Sequence, residues 1–394
     1  MIDWPLAGYV MLGPLAWVAM WAGLLLARSR MNRLERPTPP LPDVPPHVSI
    51  LVPAKDEQAD ITACIDRIVA QDYPSFDVIA IDDRSRDRTG ELLDTHPATR
   101  AGRVRVLHVA DLPPGWLGKC HALHVATPHV RGEWILFVDS DVHLEPQALR
   151  HVLAIALQRR YDAVSLLTRL RAETFWEKLV LPPAAISWGM MFQISLTNDD
   201  GLPRCAAANG QFFLVRADAY RGIGGHEAVR SCIVEDVELM RALKSAGACT
   251  RLFTGFHLAA TRMQTSLRQI FHGWARIYAG TSRRRVHPML GGIVFLAACV
   301  LGGYAALGYA LATGRTSWLV ASAAHLLLMH AYLGYAYLRS HVNVLYSLLA
   351  PLAAVTLMAM MSFAITRCLG GRIDWRGTRI DDHSREGFQV VKKS

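Results

Sequence analysis

Hydrophobic positions are spread unevenly along this chain. An almost unbroken apolar run, roughly Pro5 to Ala27, opens it, and three more follow at about Met289–Ala312, Trp318–Leu338 and Asn343–Thr366. Each is long enough to cross a bilayer core, which takes about 20 helical residues. Between them the pattern changes. Val48–Val52, Phe76–Ile81, Val104–Val109 and Trp134–Val138 are short, nearly continuous runs rich in β-branched residues, as expected of strands covered on both faces. Helical stretches such as Asp60–Ala70 and His121–Thr127 lie between them. This rhythm predicts βαβ units, whose ligands bind beyond the carboxyl ends of the strands. The organisation read from it is a membrane helix at 5–27, a linker at 28–47, an α/β domain at 48–288, three membrane segments at 289–368 and a polar tail at 369–394.

Composition sharpens the picture. Of 394 residues, 52% are hydrophobic and 19% charged, and the mean hydropathy is +0.19. Such values exclude a disordered chain and an all-soluble enzyme, while the polar middle excludes a fully embedded transporter. That middle, about 260 residues, suffices for one large domain with a proper core. The net charge is +9, but many cations flank the apolar runs, so a membrane surface explains them better than nucleic acid does.

Arg28, Arg30, Arg33 and Arg36 follow the first run and only Asp3 precedes it. The excess of cations on one side places the N-terminus outside and the domain in the cytoplasm, at the inner (plasma) membrane. A signal peptide is disfavoured because no basic segment precedes the run and no small-residue cleavage site ends it. Arg283, Arg284 and Arg285 form a second anchor before the next run. Four spans put the tail outside, yet Arg367, Arg372, Arg376, Arg379, Lys392 and Lys393 favour the inside; a re-entrant late segment is the alternative. The stretch Pro37–Pro46 reads as a semi-rigid spacer. Seven cysteines without a Cys-x-x-Cys pair read as free thiols with no zinc site.

The residues after the strands are unusually acidic: Pro53-Ala-Lys-Asp56-Glu57, Asp82-Asp83-Arg-Ser-Arg-Asp87 and Asp139-Ser140-Asp141. Carboxylates gathered there repel one another unless a cation or a hydrogen-bonding ligand intervenes. Oxygen ligands of this kind suit Mg²⁺ or Mn²⁺, which keep positions open for substrate phosphates. Taken singly, an Asp-x-Asp is more often a solvated turn, and Asp82-Asp83 before Ser85 also fits a helix cap. The joint pattern, with each cluster ending a strand of one sheet, points to a site.

With Pro114-Gly-Trp-Leu-Gly-Lys119, Ile223-Gly-Gly225 and Val234-Glu-Asp236-Val-Glu-Leu, these motifs resemble family 2 glycosyltransferases over positions 47–285. The order of one N-terminal and several C-terminal spans is similar to that of ceramide glucosyltransferase-like and hopanoid-associated bacterial members. The resemblance implies a GT-A fold, a Rossmann-like and mostly parallel sheet. It also implies that Glu57 and Asp83 contact the uracil and ribose of a UDP-sugar, and that Asp139 holds ribose or metal. Asp141 would hold the metal, Lys119 would meet the diphosphate, and Asp236, paired with Glu235, would deprotonate the acceptor. Adjacent acids push one pKa upward, which suits a base near neutral pH. Other readings are a solvated Lys119 and an acidic helix N-terminus at 235–238.

Toward the acceptor, Phe175-Trp176 and Leu181–Phe192, broken by Pro182 and Pro183, read either as core or as an interfacial segment. His226 is a weaker acceptor-side candidate. Ser266–Arg276 occupies the place of the family's Gln/Arg-x-x-Arg-Trp motif: Trp274 is present, Gly273 replaces the Arg, and Arg276 follows instead. That departure favours transfer of a single sugar over processive synthesis, with Arg276 as a candidate contact for the diphosphate. The activity implied is inverting, metal-dependent transfer of a sugar from a nucleotide donor to a membrane-lipid hydroxyl. A polyprenyl-phosphate sugar synthase, a processive polysaccharide synthase and a non-enzymatic membrane scaffold are the competing readings.

Overall fold

The computed structural model describes residues 3–30, 34, 38–191, 193–282, 285–369, 373–375 and 378–380, which divide into two units. One comprises 30–170 and 194–263. Its main sheet has seven strands, ordered β3-β2-β1-β4-β8-β6-β9. These are β1 (Val48–Ala54), β2 (Phe76–Asp83), β3 (Val104–Val109), β4 (Trp134–Phe137), β6 (Ala163–Leu167), β8 (Phe213–Arg216) and β9 (Thr250–Thr254). β1 pairs in parallel with β2 and β4, and β8 is antiparallel to both its neighbours. A small second sheet joins β5 (Val142–Leu144), β10 (Ala259–Thr261) and β7 (Arg169–Leu170). The predicted mostly parallel α/β domain is therefore present.

Burial explains why the apolar runs became central strands. Every residue of β1 and β4 is buried, whereas the edge strand β3 is buried only at its ends, Val104 and Val109. The helix Ile61–Val69 turns Ile61, Cys64, Ile65 and Ile68 onto the sheet. Each buried isoleucine contributes about 1.5–3 kcal/mol of apolar transfer. A second cluster on the other face includes Leu51, Ile79, Leu123 and Tyr220, so the sheet is covered on both sides.

The Pro-rich linker departs from the spacer expected of it. Leu34 is buried in the domain core and Leu41 packs against it. The Thr38 hydroxyl pairs with His151 Nδ1 at 2.7 Å, and Tyr73 donates its hydroxyl proton to the Pro46 carbonyl at 2.5 Å. This stretch is strapped to the domain, because its two leucines gain more by burial than a free spacer offers.

The second unit comprises 1–29, 171–193 and 264–373. It therefore takes 171–193 and 264–288, which the sequence reading left in the α/β domain. Four helices long and apolar enough to cross a membrane belong to it, at Trp4–Leu26, His287–Thr313, Thr316–Arg339 and Val344–Leu369. The first is interrupted: Trp4–Leu12 and Pro14–Arg30 meet at Gly13, where a Cβ would lie 2.7 Å from His325 Nδ1. Trp17 Nε1 donates to the Cys299 carbonyl at 2.8 Å, and the Tyr9 hydroxyl meets His325 Nδ1 at the same distance. The Cys299 carbonyl belongs to a π-helical turn at Leu296–Leu301, a geometry that frees backbone acceptors. The polar tail beyond Leu369 lies outside the described residues except for 373–375 and 378–380, and so do the side chains of the arginine anchors at 28–36.

Pro182 and Pro183 do not break their segment. Phe175–Met191 is one helix, burying Leu179, Val180, Leu181 and Ala184 and exposing Phe175 and Met190. Pro183 has no N–H for the carbonyl four residues back. Tyr337 supplies the missing donor, its hydroxyl lying 2.8 Å from the Leu179 carbonyl. Tyr337→Phe leaves that buried carbonyl unpaired, at a cost of about 1–3 kcal/mol. The variant is expected to lose heat stability in detergent while keeping its expression level, as read from thermal unfolding monitored by tryptophan fluorescence.

Candidate active site

The carboxyl ends of β1, β2 and β4 lie toward one edge of the main sheet: Ala54 is beside Asp82, and β4 stops earlier, with Phe137 beside Leu51. β2 and β3 lie on one side of β1 and β4 on the other. Connections diverge at that point, which opens the crevice where sheets of this kind bind ligands.

Two loops beside the crevice are knitted together. Asp56 N–H donates to Ser85 Oγ (3.0 Å), Arg86 N–H to Asp56 Oδ1 (2.7 Å), Glu57 N–H to Thr89 Oγ1 (2.8 Å) and Gln58 N–H to Asp87 Oδ2 (3.0 Å). The Lys55 ammonium reaches the carbonyls of Asp83 and Arg84 at 3.0 and 3.1 Å. These bonds hold Asp56 and Arg84 in the left-handed region, at φ 53° and 57°, which costs non-glycine residues about 1–3 kcal/mol. Asp56 and Asp87 are thus engaged as braces, an outcome their place in an acidic run did not reveal.

Asp83, at the end of β2, is buried and faces its neighbour Arg84, with contacts of 2.7 Å to Nε and 3.1 Å to Nη2. Gly118 packs directly on this pair, because a Cβ there would collide with Asp83 Oδ2. Asp82 accepts from Ser85 N–H at 3.2 Å and meets His108 Nδ1 at 3.1 Å, while His108 Nε2 meets Asp94 at 3.0 Å.

The third group is centred on Lys119, the second residue of the helix Gly118–Ala126. Its ammonium lies 2.7 Å from Asp139 Oδ1 and 2.6 Å from Glu235 Oε1. Burial works against the charge, but Asp139, Glu235 and Asp236 together hold the Lys119 pKa well above its usual value. It is neither a solvated lysine nor open on all sides. Asp236 begins the helix Glu235–Ser245 beside Glu235 and accepts from the N–H groups of Gly210 (2.6 Å) and Val237 (2.8 Å). Burial and then Glu235 push its pKa well above the carboxylate range, against the pull of Lys119. Such a group takes up a proton near neutral pH, as a general base must.

Gly210 is a residue the sequence reading missed. A Cβ at this position would lie 2.8 Å from Lys119 Nζ and 3.5 Å from Asp236 Oδ2. Its neighbour Asn209 is pinned to β6, with its N–H 2.8 Å from Ser165 Oγ and its amide 3.1 Å from the Leu166 carbonyl. The signal available was the run of small residues Ala206-Ala-Ala ahead of Asn209-Gly210, which marks a turn with close backbone approach.

Asp141 follows Asp139 at the start of β5. Burial, then Asp139, then Glu57 raise its pKa, so three carboxylates act on one region with Lys119 answering only Asp139. Among the described residues no three His, Cys, Asp or Glu side chains are grouped so as to enclose an ion unaided. The donor set suits a hard divalent cation held by one or two carboxylates, with its remaining positions left to phosphate and water. Asp139 and Asp141 are the residues that would hold it.

Other candidates fall outside this group. His226 is buried in the core, where Nδ1 meets the Tyr220 hydroxyl at 2.6 Å and burial pushes its pKa down to about 3. It packs beneath the site as a neutral ring. Trp274 and Arg276 lie on the helix Leu267–Thr281 of the membrane unit, where Trp274 is buried against Tyr278. Gly273, in place of the family's Arg, lets Gln264 approach: a Cβ would lie 2.8 Å from Gln264 Nε2.

Fold and site together define a GT-A-like α/β domain with an acidic crevice at the ends of its strands. Residues 45–270, more than half of the chain, match the model for "Glycosyltransferase like family 2", and the chain belongs to that family. It is 28% identical over 237 residues to 4,4'-diaponeurosporenoate glycosyltransferase of Staphylococcus aureus, a match covering 58% of this chain and 60% of that one. The fold is shared with the mannosyltransferase PcManGT of Pyrobaculum calidifontis, solved in complex with GDP-Man and Mn²⁺. The TM-score is 0.53 at 18% identity, covering 92% of this chain and 99% of the other.

Two outcomes follow from this geometry. Burial disfavours a charged His108, but Asp94 and Asp82 outweigh it and raise its pKa. The stabilisation is therefore complete below the unfolded value of about 6.5 and fades as pH rises through the folded value. The stability deficit of His108→Gln, followed by thermal unfolding, should be larger at about pH 5.5 than at about pH 8.5. Gly210→Ala should displace the flexible end of Lys119, leaving the melting temperature nearly unchanged while lowering kcat by roughly 10–100-fold.

Proposed function

We propose that this protein is an inverting glycosyltransferase that moves one sugar from a nucleoside-diphosphate donor to the hydroxyl of a membrane lipid. The observation that carries this reading is Asp236, proton-accepting near neutrality, fixed by Gly210 and joined through Glu235 and Lys119 to Asp139. A base and a donor-side carboxylate are thereby linked through one cation. A UDP-sugar is the first donor to test, on the resemblance of the Val48–Leu92 motifs; the structural neighbour bound GDP-Man. Four apolar helices and the S. aureus relative named for 4,4'-diaponeurosporenoate support an acceptor resident in the bilayer. We place the protein in the inner (plasma) membrane with its catalytic domain on the cytoplasmic side, where nucleotide sugars are.

In this mechanism Asp236 accepts the proton of the lipid hydroxyl, whose oxygen attacks the anomeric carbon from the face opposite the diphosphate. The C–O bond to the diphosphate breaks, configuration inverts, and the nucleoside diphosphate leaves. Glu57 and Asp83 accept hydrogen bonds from base and ribose, and Asp83 does so by exchanging Arg84 for the ligand. Lys119 holds Glu235 and Asp139 in place through its two ion pairs. A divalent cation, Mg²⁺ or Mn²⁺, supplies charge neutralisation at the diphosphate when bound by Asp139 and Asp141.

The test is purified full-length protein with UDP- and GDP-sugars, Mn²⁺ and a total lipid extract, with new glycolipids read by mass spectrometry. Asp236→Asn is expected to lower kcat by roughly 10²–10⁴ while nucleotide binding persists. Full activity in that variant removes Asp236 from the base role and favours a phosphate acceptor, which needs little help with deprotonation.

A further inference from the structure

Most of the described arginines of the α/β unit either stand exposed, as Arg67, Arg86, Arg131 and Arg230 do, or face acids. Arg84 faces Asp83, Arg216 faces Asp218, Arg241 faces Glu238 and Arg251 faces Asp200. Arg169 is different. It sits on β7 with partial exposure, its Nε is buried without a hydrogen-bond acceptor, and no ion pair is formed with it among the described residues. A guanidinium carries five donors in a planar fork, and holding one partly desolvated with no partner is unfavourable unless a ligand completes it.

Its position says where that ligand would lie. β10 pairs with both β5 and β7, bringing Ala260 opposite His143 on one side and Arg169 on the other. Directly paired residues share a sheet face, so His143, Ala260 and Arg169 are on one face. The other face carries Val142, Leu144 and Ala259, which are in the core. Arg169 is thus two strands, roughly 10 Å, from the strand that begins immediately after Asp141. On its other flank, Thr168 donates its hydroxyl to Gln211, which also accepts from Asn209 at 3.1 Å. Asn209 is the residue before Gly210, whose N–H holds Asp236. Arg169 therefore stands between the strand that carries the metal-side acid and the loop that fixes the base.

We infer that Arg169 binds an oxyanion of a substrate at this site, either the donor's diphosphate or an anionic headgroup on the acceptor. The planar fork matches phosphate and carboxylate geometry. The inference rests on the proposed function, since it assigns the anion to one of that reaction's two substrates.

The experiment uses the full-length protein in detergent. Binding of UDP and GDP with Mn²⁺ is measured by calorimetry, and dodecyl phosphate is titrated as an anionic amphiphile, in wild type, Arg169→Gln and Arg169→Lys. Arg169→Gln is expected to weaken at least one probe tenfold or more with an unchanged melting temperature. Arg169→Lys should recover only part, because a point charge lacks the fork. Weaker nucleotide binding alone assigns the anion to the donor; weaker dodecyl phosphate binding alone assigns it to the acceptor. Less than twofold change for both probes in both folded variants overturns the inference. If Arg169→Gln does not fold, Arg169→Lys decides, with a threefold loss expected and no loss overturning. Wild type that binds no nucleotide at all would instead defeat the proposed function.

Discussion

Repulsion among carboxylates is the constraint around which the α/β unit is arranged. Strands β1, β2 and β4 end toward the same edge, and each leads into acids, so negative charge accumulates at one edge of the sheet. The chain answers it in three ways. Backbone N–H groups and hydroxyls tie Asp56 and Asp87 into braces between loops. Arg84 covers Asp83. Lys119 is inserted between Asp139 and Glu235 at 2.7 and 2.6 Å. What remains is the raised pKa of Asp141 and of Asp236, two carboxyls left poised by burial and by the acids beside them. Uncompensated charge in a partly buried crevice is a resource for catalysis, since a substrate or metal that relieves it binds there preferentially.

The same logic accounts for the glycines that matter. Gly118 admits the Asp83–Arg84 pair and Gly210 admits Lys119 and Asp236. In both places a single methyl group would occupy the volume of a charged atom. The backbone itself is part of the electrostatic arrangement, and Gly210 contributes a donor as well as space.

The membrane unit solves a different problem, that of polar backbone with no water to satisfy it. Gly13, Pro183 and the π-helical turn at Leu296–Leu301 each interrupt regular helical bonding. In two of the three, an aromatic or imidazole side chain restores a partner: Tyr337 for Leu179, and Trp17 with His325 for the Cys299 carbonyl. The π turn is thus matched to donors from two other helices of the same unit.

Sequence by itself determined the fold class, the four apolar helices, and the strands, whose ends fell within two residues of those observed for β1 to β4. It also marked Glu57, Asp83, Asp139, Asp141, Lys119 and Asp236 as the residues to inspect. These are local properties: an apolar run of a given length, or an acid directly after a strand, carries its meaning in neighbouring residues. Tertiary structure alone decided which acids are braces and which have a raised pKa, that His226 is core, that 38–47 is strapped to the domain, and that Pro182-Pro183 lies within a helix. It alone revealed Gly210 and Arg169. Each of those outcomes depends on a partner distant in the chain, such as Asp236 for Gly210 or Tyr337 for the carbonyl left open by Pro183. Hydrogen bonds and burial between distant residues leave no periodic trace in the sequence, so they become legible only when folding brings the partners within 3 Å or so of one another.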